Sequence, residues 1–506
     1  METAKKVQQF INNYWMGVVI LAGATTAILS LVLSSGQPVW FDEGYSILLA
    51  KHSFSELLSL TAVDAHPPLY YLLLKLWGGL FGFGEVALRS LSAVLMGAAV
   101  TMAGVTLRYM FSVRVAVTAL PFIIFAPFVL RYGYELRMYA LATLIAISAT
   151  YILLKARAAK TWKWWGVYAV LVALGMYTLY MTVAIWLAHF VWLLIVSIKT
   201  DKRPFWKWPW LYAFAGSVLL FAAYIPTFLH QLVYSALPGM GNEMTISQLA
   251  NIVSTFLLYI PEWSLGGWGT LWVLAVVVVL GLFGVSLAKT LPRQKKPYFA
   301  LLLLLSFVPI AFYALTSLPP RDPIYIIRYM AHSALFIYMI VGVIVAYALM
   351  GRTRTKTQQL GRIFVSLCVL FMMVGGVVVL HRTGNFNFER MQQPMTQTVR
   401  DFARCDSDRV AVVTDDPYTY IDSAFYFEDC NLLFYSKAPL EYKGGYAMLH
   451  DSDKRIASSN QLHAGVLIHL SWKGAESQFT PDSRYRFVDS SIFDKQVVSR
   501  YELIGE

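Results

Sequence analysis

Two carboxylates sit side by side in the stretch WFDEGYSILLA at residues 40–50: Asp42 and Glu43, framed by Trp40, Phe41 and Tyr45. Neighbouring side chains point to opposite faces of a strand, or about 100° apart on a helix, so the two acids can serve different partners. One reading is a helix start, with Asp42 as the cap and Glu43 in the first turn. The other is chemistry: a carboxylate placed about 3 Å from a hydroxyl can take its proton as a general base. Charge at membrane depth is costly and marks function, which favours the second reading.

Other stretches supply matching groups. RYGYELRMYA (131–140) holds Arg131, Glu135, Arg137 and Tyr139, and PPRDPIYIIRYMAH (319–332) holds Arg321, Asp322, Arg328 and His332. Arginine grips a phosphate with a planar two-pronged fork; alternatively each Arg pairs with Glu135 or Asp322. Several Arg beside several carboxylates make the composition of a site that binds a phosphorylated lipid and deprotonates a hydroxyl. His66, in AHPPLYY, is either a loop histidine or a metal ligand together with Asp42 or Glu135. No multi-His spacing marks a zinc site. The expectation is that no cofactor is required, with a divalent cation (Mg²⁺, Mn²⁺ or Zn²⁺) as the alternative.

The elements that must position these groups follow from composition. The 506 residues are 58% hydrophobic and only 14% charged, with a mean hydropathy of +0.56; a soluble domain carries about 25% charged residues. This is a polytopic α-helical membrane protein. A span needs about 20 apolar residues, and eleven candidates start near residues 14, 86, 114, 138, 164, 183, 209, 268, 298, 329 and 363. The first lacks a small-residue cleavage site and reads as a retained anchor. The links at 108–114, 155–163, 199–207, 289–296 and 352–362 hold eighteen Lys or Arg and one acid, Asp201, while 230–267 holds no Lys or Arg. The positive-inside rule then puts the N-terminus in the cytoplasm and the alternate links outside. The formal net charge of +12 is thus spent on topology and does not point to nucleic acid.

Counting HPPLYYLLLKLWGGLFGFG (66–84) as a span would invert every later link. It and YSILLAKHSFSELLSL (45–60) therefore read as two juxtamembrane helices along the outer interface. Residues 1–381 form the membrane domain. Residues 382–506 contain no span-length apolar run, and RVAVVT (409–414) and AGVLIHLSW (464–472) read as strands of an extracytoplasmic α/β domain. Cys405 and Cys430, the two cysteines of that tail, would meet an oxidising compartment and pair; the alternative is two buried thiols.

WFDEGYSILLA, then HPPLYYLLLKLWGGLFGFGEVALRSLSAVLMGAAV, then YGYELRMYALATL resemble, in that order, the GT-C glycosyltransferases of the dolichyl-phosphate-mannose protein mannosyltransferase and aminoarabinose transferase type. The resemblance spans residues 10–160, rests on topology and the pair Arg328–Tyr329 from 160 to 380, and does not reach the tail. It implies Asp42 as the catalytic acid, Glu43 as its neighbour and Glu135 as the acid of the second outer loop. It further implies that Tyr70, Tyr71 and Lys75 help hold a lipid phosphate, joined by Arg328 and Tyr329.

The expected reaction moves a sugar from a polyprenyl-phosphate donor to a glycan, lipid or protein acceptor outside the bacterial inner membrane. It proceeds with inversion, with Asp42 as base. Lys75, Arg137, Arg321 and Arg328 stabilise the leaving phosphate, and His66, Arg131 and Tyr139 orient the acceptor. The rival readings are an outer-face glycan polymerase or ligase, and a non-enzymatic lipid or solute transporter. Span interiors without Asp, Glu or Lys, and without matching broken helices, argue against transport.

Overall fold

A computed structural model describes residues 12–504 except 36, 160, 235–244, 260–265, 318–324, 352–354, 384–408, 429, 439, 441, 443, 451–452, 475 and 494–495. Among the described residues nine helices are long and apolar enough to cross a membrane: Trp15–Ser34, Glu85–Met110, Tyr139–Ala159, Tyr180–Thr200, Pro209–Tyr234, Leu271–Thr290, Lys296–Thr316, Ile327–Met350 and Lys356–Arg382. The protein is a multi-pass membrane protein. The two remaining expected spans are shorter, so the count of eleven is not reached by length. Trp162–Thr178 has 17 residues, and Val113–Ile124 has 12 with Pro121 inside it. The chain leaves helix at Phe125 and starts again at Pro127–Tyr132, because a proline ring removes a donor and clashes with the preceding turn.

The chain divides into two compact units: residues 1–35, 89–226 and 237–384, and residues 36–88, 227–236 and 385–506. In the first, helices approach closely where small residues meet. A Cβ on Gly23 would run into the Gly97 carbonyl and the Thr101 hydroxyl; such contacts hold helices together where lipid removes the hydrophobic drive. One buried polar group is held on both sides: His189 sits 3.0 Å from the Thr150 hydroxyl and 3.1 Å from the Tyr168 hydroxyl.

The second unit gathers the first loop and the tail. The loop holds three helices, Phe41–Lys51, Phe54–Ala62 and Leu69–Phe81, where the pattern of residues 45–60 suggested one helix followed by another at 66–84. The break is chemical. Ser53 Oγ accepts the Glu56 amide while the Glu56 carboxylate accepts the Ser53 amide, a capping box that starts a helix afresh and leaves His52 extended. Pro67 and Pro68 precede the third helix, and Gly82, at φ 89°, ends it in a conformation that side chains resist.

The tail carries a six-stranded sheet in the order β3-β2-β1-β4-β6-β5, with strands β1 Val410–Thr414, β2 Asn431–Tyr435, β3 Arg455–Ile456, β4 Val466–Trp472, β5 Tyr485–Phe493 and β6 Gln496–Leu503. The first four run parallel, and β6 and β5 add antiparallel strands. The two segments read as strands are β1 and β4, and they pair directly. Every residue of β1 is buried, which suits an unbroken apolar run at the middle of a parallel sheet. Beyond β1, Asp416 caps the helix Pro417–Tyr426 by accepting the Thr419 amide at 2.8 Å. Cys430 is disulfide-bonded and Cys368 is free; Cys405 lies outside the described residues.

Candidate active site

Asp42 is not a helix cap. Trp40 occupies that position without a side-chain capping bond, and Asp42 and Glu43 lie in the first turn of Phe41–Lys51, where the helix dipole favours negative charge. Both are buried, Asp42 at 8% exposure and Glu43 at 1%, leaving Asp42 the more accessible.

What holds this turn is the tail. A Cβ on Gly44 would lie 2.7 Å from the Ile421 carbonyl oxygen, so the helix Pro417–Tyr426 packs backbone to backbone against the acid-bearing turn. The Val39 amide donates to the Tyr426 hydroxyl at 2.6 Å, the Phe41 and Tyr418 rings sit 4.5 Å apart, and Lys51 pairs with Glu428 at 2.7 Å. Tyr45 meets the edge of Tyr71, which in turn meets Tyr70. Gly44→Ala should therefore destabilise the full chain by about 1–3 kcal/mol, the cost of overpacking a filled site. Gly79→Ala, where a Cβ meets nothing within 4 Å, should not. Paired thermal melts check the difference.

Lys75 is placed elsewhere. Its ammonium donates to the Ala50 carbonyl at 3.3 Å and the His52 carbonyl at 2.5 Å, closing the C-terminal end of the helix that begins beside Asp42. The Asp42 and Ala50 positions are separated by roughly 12 Å at 1.5 Å per residue. His66 Nδ1 lies 3.6 Å from Asp64 Oδ2, so an acid that spacing alone did not single out neighbours the histidine.

The first unit holds the other groups. Arg131 and Glu135, each 1% exposed, form an ion pair at 3.0 Å. The Arg131 guanidinium stacks over Tyr134 at 4.8 Å, and the Ser92 hydroxyl donates to the Glu135 carbonyl at 2.7 Å. Glu135 and Arg131 are thus ion-pair partners. Arg137 follows in a tight turn, its amide donating to the Glu135 carbonyl at 2.8 Å. Tyr139 is fully buried, and Arg328 and Arg137 are the two cations that act on its hydroxyl. Tyr329 is buried beside them, its carbonyl accepting the Tyr313 hydroxyl at 3.1 Å. Folding therefore gathers Arg137, Tyr139, Arg328 and Tyr329, from segments 190 residues apart in sequence. Arg321 lies outside the described residues.

Two residues escaped sequence reasoning. Arg89 is 1% exposed, reaches the Ser34 carbonyl at 3.2 Å and lies over Tyr134 at 5.9 Å; an Arg one turn inside an apolar span was the available signal. Tyr259, a neighbour of Arg131, adopts φ 54° and ψ 37° at the end of Ile246–Leu258. A bulky residue in left-handed conformation is strained, and nothing in the sequence announces it. Among the described residues no group of three or more His, Cys, Asp or Glu gathers as a metal would need.

This arrangement has known counterparts. The family model for dolichyl-phosphate-mannose-protein mannosyltransferase matches residues 65–229, which takes in HPPLYY and ELRMYAL. The chain has the fold of the GT-C glycosyltransferases, as the first-loop motifs implied. ArnT from Cupriavidus metallidurans in the apo state superimposes with a TM-score of 0.58 at 11% identity, over 96% of this chain and 98% of that one. The same enzyme bound to undecaprenyl phosphate gives a TM-score of 0.55 at 12% identity, over 96% and 98%. No curated protein sequence is significantly similar to this chain.

Proposed function

We propose that this protein is a glycosyltransferase that moves a sugar from a polyprenyl-phosphate donor to a hydroxyl or amine acceptor at the outer face of a bacterial inner membrane, with inversion. The observation that carries the reading is the carboxylate pair in a buried, rigidly held helix turn of a GT-C fold. The Asp42 carboxylate accepts the acceptor's proton as the nucleophile attacks the anomeric carbon and the bond to phosphate oxygen breaks. The leaving lipid phosphate is already ionised, so it needs positive charge rather than a proton. Arg137 and Arg328 supply that charge beside Tyr139, with Arg321, Tyr70, Tyr71 and Tyr329 as further donor contacts. Lys75 contributes by fixing the helix that carries Asp42, while His66 and Arg131 orient the acceptor side. The 1–381 segment acts as the catalytic membrane domain and 382–506 as its extracytoplasmic partner. The N-terminus and the basic links face the cytoplasm.

Two observations support a lipid donor. ArnT, whose fold this chain shares, has been seen with undecaprenyl phosphate. An apolar cavity of about 370 Å³ lies among the helices of the first unit, lined by Phe256, Leu280, Gly284, Phe299 and Ile344 among others, and suits an isoprenoid chain. The test is the purified protein in lipid with a radiolabelled polyprenyl-phosphate sugar. Transfer or hydrolysis is the expected result; flux of intact lipid without covalent change would instead show a transporter. Arg137→Ala and Arg328→Ala should each weaken binding of a polyprenyl-phosphate analogue by about 1.5–3 kcal/mol, the worth of a charge-assisted hydrogen bond. Unchanged affinity in both would leave them as structural cations.

A further inference from the structure

Far from Asp42's helix in sequence, one end of the first unit's helices carries a polar crevice that the transfer reaction does not use. It measures about 420 Å³ and is lined by Arg157, Trp165, Ser197, Thr200, Asp201 and Trp210, with Arg203 at its edge. Arg157 lies eighteen residues beyond Tyr139 in the helix Tyr139–Ala159, roughly 27 Å away at 1.5 Å per residue. The crevice therefore opens at the opposite membrane face from Arg137 and Tyr139.

Its charge is unbalanced. Residues 155–163 and 199–207 contain eight Lys or Arg and one acid, Asp201. That acid is committed: Arg203 holds it through Nε at 2.9 Å and Nη2 at 2.6 Å. Arg157, half-buried, donates to the Thr200 hydroxyl at 2.9 Å and lies over the Trp192 ring at 5.5 Å, while Asp201 acts on it as a further neighbour. Trp165 and Trp210 line the crevice with it.

The surroundings fix the depth. Two aromatic–lysine runs, Trp162-Lys163-Trp164 and Trp206-Lys207-Trp208, flank the crevice. They are joined, since Trp162 packs on Tyr212 at 5.9 Å and the Tyr212 hydroxyl donates to the Trp206 carbonyl at 2.9 Å. Trp162, Phe205, Trp206 and Tyr212 are 54–64% exposed. An exposed patch of this kind on a membrane protein belongs at the headgroup layer, where indole and phenol rings have one apolar and one wet side. At that depth a half-buried, forked cation, in surroundings where Lys and Arg outnumber a single acid, recognises a phosphodiester.

We propose that this crevice is a binding site for the headgroup phosphate of an anionic glycerophospholipid in the leaflet that faces the basic links. Arg157 is the phosphate ligand, and the Trp–Lys runs hold the headgroup's surroundings.

The full-length protein in zwitterionic micelles, titrated with phosphatidylglycerol or phosphatidylcholine and read by native mass spectrometry, tests it. Phosphatidylglycerol should bind at least about tenfold more tightly, as one charge-assisted contact allows. Arg157→Gln should remove most of that preference and Arg157→Lys only part of it. Asp201→Asn releases Arg203 and should tighten phosphatidylglycerol binding, a change of sign that a folding defect would not give. Equal affinity for the two lipids, or weakening by Asp201→Asn in step with Arg157→Gln, overturns the proposal. So does displacement of the lipid by millimolar inorganic phosphate, which would make this a soluble-anion site.

Discussion

Asp42→Asn should lower sugar transfer by roughly 10²- to 10⁴-fold, the usual worth of a positioned general base, while affinity for the polyprenyl-phosphate donor stays near that of the parent protein. Asn keeps the size of the side chain and its place in the first turn of Phe41–Lys51, so the helix and its packing on Pro417–Tyr426 should survive. What is lost is the ability to accept a proton. A turnover assay with saturating labelled donor, run beside a binding assay with a donor analogue, separates the two quantities. If the Asn variant turned over at close to the parent rate, Asp42 would be no base, and its role would reduce to the favourable interaction of a carboxylate with a helix N-terminus, about 0.3–1 kcal/mol. Glu43, at 1% exposure against 8% for Asp42, is the less accessible of the pair. Glu43→Gln is accordingly expected to act more on stability than on the chemical step.

Glu135→Ala has the second large effect, on stability. Removing Glu135 strands the Arg131 guanidinium, which is 1% exposed and 3.0 Å from the carboxylate it would lose. Breaking a buried pair from one side costs about 3–5 kcal/mol, because the remaining charge is desolvated without compensation. Replacing both partners with apolar residues of similar size, Arg131→Met with Glu135→Leu, should recover much of that loss. Melting of the three variants in one detergent checks the pattern. Equal melting of Glu135→Ala and the parent, with transfer abolished, would instead give Glu135 a chemical role and demote the ion pair.

The gap between Arg131 and Arg137 shows why sequence stops where it does. Both lie in RYGYELRMYA, six residues apart, with the same side chain and the same neighbouring acid. Either could have been the partner of Glu135. Folding puts Arg131 in an ion pair with the carboxylate and brings Arg137, like Arg328, close enough to act on Tyr139. Lys75 teaches the same lesson. Its type suited a phosphate, but the end of a short helix two segments away presents bare carbonyls that it satisfies.

What the sequence determined by itself was whatever depends on short-range pattern. Apolar runs of span length, basic links between them and an uninterrupted Val-rich stretch at 410–414 follow from burial and hydrogen-bond satisfaction within a few residues, so membrane helices and a tail sheet could be read directly. The acids at 42 and 43 stood out because charge is rare in such surroundings. The tertiary structure decided which groups share a partner. It laid the tail's helix on Gly44 through a contact between residues almost 380 positions apart, put Tyr259 in a left-handed turn, and gave the direct hydrogen bonds of Asp201 to Arg203, with Arg157 only a further neighbour of that acid. Those outcomes depend on competition among many equivalent charges and carbonyls for a few near neighbours, and that competition is settled only when distant segments are packed together.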